Sequence, residues 1–150
     1  MDQIRHFQDE WLIRWAIKLP SVSLAWIAEL KRNQLPFLSQ VLVDAGLASP
    51  EWVYELYERH WRIPAWEPSA DAVDPAVLEL IPAKVCCRHF LLPFRRTEGT
   101  IDIAMANPLD PCALDDIVAY ARLKPVVHFS LPGRLYGVIH EVFRPAVSTV

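Results

Sequence analysis

Leu91-Leu92-Pro93-Phe94-Arg95-Arg96-Thr97-Glu98-Gly99-Thr100-Ile101-Asp102-Ile103-Ala104-Met105 decides the fold. Leu91 to Phe94 is a short apolar run that reads as a strand, and Thr97-Glu98-Gly99 carries turn chemistry. Ile101, Ile103 and Met105 then alternate as a strand with one buried face. Downstream, Leu114, Ile117, Val118 and Ala121 recur at helix spacing, and Val126 to Leu131 reads as a third strand. Leu135, Val138, Ile139, Val142 and Phe143 mark a closing helix. The order β-β-α-β-α predicts a hairpin followed by a right-handed crossover, and hence a small α/β layer. Upstream, Asp74-Pro75 opens a short helix through Leu78 and Ile81, and Pro82 starts another through Cys86 to His89.

The stretch Pro68-Ser69-Ala70-Asp71-Ala72-Val73-Asp74-Pro75 separates this part from an N-terminal half with a helical apolar pattern. There, Leu38, Val41, Leu42 and Ala45 share one helix face, and Gly46 stands where that helix should stop. Ser49-Pro50-Glu51 supplies an N-cap hydroxyl, a proline at the first helical position and an early carboxylate. The helix it opens carries Trp52, Val53, Leu56 and Tyr57 on one side. At an offset of 26 residues the half matches itself: Leu12 on Leu38, Ser23 on Ser49, Trp26 on Trp52, Glu29 on Glu55 and Leu30 on Leu56. Ile17 meets Val43 and Ile27 meets Val53 in the same register. Two related helix-turn-helix units explain the match, each covering the apolar face of the other. The expected class is therefore α+β: a helical subdomain of two such repeats over residues 1–67, then a ββαβα subdomain over 68–150.

Composition narrows the function. The 150 residues are 53% hydrophobic and 22% charged, which suits a folded domain rather than a disordered chain. Only four glycines occur, at 46, 99, 133 and 137, so no phosphate loop, dinucleotide turn or nucleophile elbow can be assembled. A net charge of −3 gives no general attraction to nucleic acid or anionic lipid. No apolar run is long enough to span a bilayer, and the charged start lacks the apolar core of a signal peptide. Three cysteines, two of them adjacent, make no disulfide framework and read as reduced thiols in a cytoplasmic protein.

Each constellation that could carry chemistry has a plainer account. Cys86-Cys87-Arg88-His89 places adjacent thiols about 100° apart on a helix, with no second Cys/His pair nearby for zinc. Asp110, Asp115 and Asp116 sit where a helix begins, and carboxylates there complement its dipole. His60, His128 and His140 are dispersed, and no serine stands in a nucleophile context. No catalytic residue, metal or cofactor is expected. The six tryptophans at 11, 15, 26, 52, 61 and 66 crowd the helical half. Some must fill a core, and the rest are candidate protein-interaction anchors.

Residues from about 36 to 143 resemble the N-terminal domain of type II secretion and type IV pilus assembly ATPases, the E-proteins (GspE N-terminal or MshEN-like domain). Three segments carry the likeness. The first runs from Val41-Leu42-Val43-Asp44-Ala45-Gly46-Leu47 through Ser49-Pro50-Glu51 to His60-Trp61-Arg62-Ile63-Pro64. The second is Leu80-Ile81-Pro82 leading to Phe90-Leu91-Leu92-Pro93. The third and most specific is Ile103-Ala104-Met105-Ala106-Asn107-Pro108-Leu109-Asp110.

The resemblance implies an adaptor domain that docks a motor ATPase onto the cytoplasmic part of an inner-membrane platform protein. It also points to a downstream ATPase module, toward which a linker would begin at 146–150, while Met1 supports a native start. In the family's cyclic-di-GMP-binding branch each repeat opens with Arg-Leu-Gly and closes with glutamine. The matching openings here are Trp11-Leu12-Ile13 and Phe37-Leu38-Ser39, and the closings are Gln34 and His60. Both arginines and both glycines are absent, which removes a bidentate phosphate donor and close backbone approach. The expected function is non-catalytic protein binding in a secretion or pilus-type system, cytoplasmic and peripheral to the inner membrane through its partner. The alternative is a cyclic-di-GMP or related nucleotide sensor with a divergent site at Gln34, Ser39 and His60.

Overall fold

The computed structural model describes residues 7–33 and 36–143. Among them are seven α-helices and one three-stranded sheet, the α+β class expected. The chain forms two compact units that divide at Val53/Tyr54.

In the first unit, a 3-10 turn at Glu10–Leu12 runs into α1 (Ile13–Ala16), followed by α2 (Leu24–Arg32), α3 (Leu38–Asp44) and the start of α4 (Pro50–Trp61). Its buried apolar side chains include Leu12, Ile27, Leu38 and Leu42, of which Leu12 and Leu38 are equivalent in the repeat. The internal repeat also shows at the helix starts. Ser23 Oγ accepts the Trp26 N–H at 3.2 Å to cap α2, and Ser49 Oγ accepts the Trp52 N–H at 3.1 Å to cap α4. One serine-to-tryptophan spacing thus supplies the same cap twice. Gly46, at φ +74°, ends α3 as expected, with the Leu47 N–H closing on the Leu42 carbonyl at 2.9 Å.

The second unit holds α5 (Ala83–His89), β1 (Leu91–Thr97), β2 (Thr100–Met105), α6 (Pro111–Ala121), β3 (Lys124–Phe129) and α7 (Pro132–Val142). β1 and β2 are antiparallel, from Leu91 opposite Met105 to Thr97 opposite Thr100, with Phe94 as a bulge residue. Glu98-Gly99 forms the turn, Gly99 taking φ +79°. After the α6 crossover β3 pairs with β2 in parallel, Thr100 opposite Lys124 through Met105 opposite Phe129. β2 is central, so Ile101, Ile103, Ala104 and Met105 are all fully buried. β3 begins two residues before the stretch read from the sequence and ends two residues earlier. Pairing starts at Lys124, whereas Leu131 and Pro132 lead into α7.

The unit boundary also differs from the 67/68 division read from the proline-rich stretch. Residues 64–66 run beside β3: the Phe129 N–H donates to the Pro64 carbonyl at 2.8 Å, and the Trp66 N–H donates to the Phe129 carbonyl at 2.9 Å. Ser130 Oγ bonds the Trp66 carbonyl, and Tyr57 stacks on Phe129 with centroids 4.0 Å apart. Most of α4 and the strap after it therefore belong with the sheet.

The scarcity of glycine has a backbone consequence. α5 and α6 end in left-handed residues that are not glycine, Phe90 at φ +52° and Arg122 at φ +57°, and Arg62 at φ +56° follows α4. L-residues pay for that conformation. Arg122→Gly, at an exposed position, should stabilise the fold by up to about 1 kcal/mol after the added unfolded-chain entropy of glycine is deducted. The midpoint of urea unfolding measures this.

Candidate functional site

The segment Phe37-Leu38-Ser39, read from the sequence as the opening of the second repeat, is closed. Phe37, Leu38 and Ser39 are 3%, 0% and 0% exposed. The first N–H groups of α3 are also taken. Asp9, itself fully buried, accepts the Leu38 N–H on Oδ1 at 2.7 Å and the Ser39 N–H on Oδ2 at 2.9 Å. The Ser39 hydroxyl leans toward the same carboxylate without closing a hydrogen bond of ordinary geometry. Burial pushes the Asp9 carboxyl above its usual range, and the two backbone N–H bonds oppose that shift. Asp9 was not legible in the sequence as a buried helix cap. It stands beside a 3-10 turn, and the helix it caps lies 29 residues further along the chain.

Gln34 lies outside the described residues. His60 is exposed in the last turn of α4 and belongs to the second unit, whereas Ser39 belongs to the first. Among the tryptophans, 11, 15, 26, 52 and 66 are half-buried and Trp61 is 43% exposed. Trp11 and Trp15 meet edge to face with centroids 6.1 Å apart. Trp66 stacks on Phe94 at 4.0 Å, so it serves the sheet unit.

Polar clusters in the second unit tie elements together. Asp102, 6% exposed on β2, accepts from Arg95 Nε of β1 at 2.7 Å and faces His128 Nε2 of β3 at 3.2 Å. One carboxylate thereby bridges all three strands. His89 at the end of α5 meets Asp116 of α6 at 2.8 Å, and Asp110 lies 3.9 Å from its other ring nitrogen. Asp110 also caps α6 by accepting the Cys112 N–H at 3.0 Å, the helix-start role read from the sequence. Tyr54 donates to Glu67 at 3.1 Å, and Arg134 donates to the other oxygen of Glu67 at 2.7 Å. Burial, then the Glu67 charge, push the Tyr54 hydroxyl up to about 12. A shallow hollow of about 340 Å³ lies beside the Trp66–Phe94 stack, lined also by Asp71, Asp74 and Arg95.

Thiol chemistry is disfavoured. Cys86 is fully buried, and burial raises the pKa of both Cys86 and Cys87, keeping them as thiols at neutral pH. Cys86 and Cys87 should therefore react with a thiol reagent no faster than cysteine in a short peptide, with exposed Cys112 modified first. Mass spectrometry of partially labelled protein reads the order. No cluster of three or more His, Cys, Asp or Glu side chains fit to hold a metal occurs among the described residues. No helix there is long and apolar enough to cross a membrane.

Comparison with known proteins gives a consistent result. A family model described as the MshEN domain matches residues 61–149. The type IV pilus assembly ATPase PilB of Thermus thermophilus is 28% identical over 112 residues, which are 75% of this chain and 11% of that protein. PilB of Myxococcus xanthus is 24% identical over 80 residues, 53% of this chain and 14% of that protein. The chain thus spans a small fraction of the length of these relatives. In fold it matches the structure of MshE with cdg, at TM-score 0.63 and 17% identity over 91% of this chain and 99% of that one. It also matches the N-terminal domain of XpsE at TM-score 0.62 and 16% identity, covering 93% of this chain and 97% of that one.

Proposed function

The chain belongs to the MshEN domain family, and from that membership we propose that it is a non-catalytic docking domain of a type II secretion or type IV pilus-type machine. Its partner in this reading is the cytoplasmic part of an inner-membrane platform protein, and its place is the cytoplasmic face of that membrane. The relatives of known name are pilus assembly ATPases, and the fold is that of the XpsE N-terminal domain. The sequence contains no phosphate loop of its own.

One observation favours protein docking over nucleotide sensing: the Asp9 carboxylate occupies the α3 N–H groups beside buried Phe37 and Ser39. A phosphate approaching there would meet a buried acidic side chain instead of free donors. MshE was solved with cdg, so a cyclic-di-nucleotide is the rival ligand to test. Calorimetry with the platform protein's cytoplasmic domain should show binding at tens of micromolar or tighter, and cyclic-di-GMP should give no heat. Binding of cyclic-di-GMP that weakens in Gln34→Ala or His60→Ala would overturn the docking reading in favour of a divergent sensor.

A further inference from the structure

We propose that the docking surface of the first unit is the patch around Trp15, and that it takes an acidic partner segment carrying an apolar side chain. This rests on the docking reading and names the surface and the chemistry of its occupant.

The patch begins with two cations that the fold leaves unneutralised. Arg14 lies 5.4 Å and Lys18 lies 5.9 Å from the centroid of the Trp15 ring. Among the described residues neither makes an ion pair, and both are exposed. Among the described residues of the first unit the other basic side chains are paired: Lys31 with Glu10 at 3.3 Å, and Arg32 with Glu29 one turn away. In a chain of net charge −3, Arg14 and Lys18 make a local positive spot on a half-exposed indole.

Apolar surface lies in the same segment. Ile17 is 40% exposed between Trp15 and Lys18, and Leu24 is 63% exposed where α2 begins, just after the turn. An indole with cations beside its ring, in a segment that also exposes aliphatic side chains, matches a partner that brings a carboxylate to the cations and an apolar group to the ring. Charge complementarity favours a protein segment over a lipid surface. Two cations fall well short of the basic clusters that hold proteins on anionic bilayers, and the chain as a whole would be repelled.

The test compares wild type, Arg14→Glu/Lys18→Glu and Arg32→Glu for binding to the platform protein's cytoplasmic domain by calorimetry. All three altered side chains are exposed, and circular dichroism checks that each variant stays folded. The double reversal should weaken binding at least tenfold, Arg32→Glu less than twofold, and wild-type affinity should fall as salt rises. Unchanged affinity in the double reversal, with wild type binding, would overturn this surface and leave the docking function standing. Absence of wild-type binding would overturn the docking function itself. Sedimentation with phosphatidylglycerol vesicles, lost in the double reversal and not seen with phosphatidylcholine vesicles, would replace the acidic segment by a membrane surface.

Discussion

Phe129→Ala should lower the unfolding free energy by roughly 3–5 kcal/mol, the usual cost of emptying a fully buried aromatic site. Phe129 is 0% exposed at the end of β3, stacked on Tyr57 at 4.0 Å and edge-on to Tyr54 at 6.0 Å. Both tyrosines stand on α4, so the truncation removes the side chain that fastens this helix to the sheet. The backbone bonds of Phe129 to Pro64 and Trp66 survive on paper, but they would frame a cavity. With domain stabilities of about 5–15 kcal/mol, the second unit would be left marginal. Phe129→Leu, which keeps most of the volume, should cost clearly less. Denaturant titration read by circular dichroism gives both values, and a loss below about 1 kcal/mol for alanine would mean that the α4 contact contributes little.

Asp9→Ala should destabilise the first unit by roughly 2–4 kcal/mol, because it strands two buried N–H donors at the start of α3. The pH dependence has a definite sign. Burial raises the folded pKa of Asp9 above its ordinary value of 3.8, so the folded protein holds this proton more tightly than the unfolded chain does. The resulting stabilisation is complete below the unfolded pKa and is lost as pH rises through the folded one. Asp9→Asn carries no such proton. Relative to wild type, the asparagine variant should therefore gain stability as pH rises through the acid range, whatever the offset set by its altered hydrogen bonds. Parallel urea titrations at several pH values measure the difference. A flat or opposite trend would show that the hydrogen bonds outweigh burial at this carboxyl.

Taken alone, the sequence determined the elements and their order. Alternation in Ile101, Ile103 and Met105, the turn at Gly99, and the Asp110-Pro111 and Ser49-Pro50 helix starts are local signals. Each depends on residues within a few positions of one another. The repeat was legible for the same reason, since Ser23 with Trp26 and Ser49 with Trp52 make the same three-residue cap.

Tertiary structure alone decided what lies far apart in the chain. Asp9 caps a helix 29 residues away, Ser130 holds the strap 64 residues before it, and Asp102 joins strands on either side of a crossover. None of these leaves a periodic trace, because a buried carboxylate or hydroxyl is specified by its partner and not by its neighbours in sequence. The placement of residues 54–67 with the sheet was hidden likewise. Their composition is that of a helix and a proline-containing strap, and only tertiary contacts, the backbone bonds to Phe129 and the Tyr57 and Trp66 stacks among them, show which unit they complete.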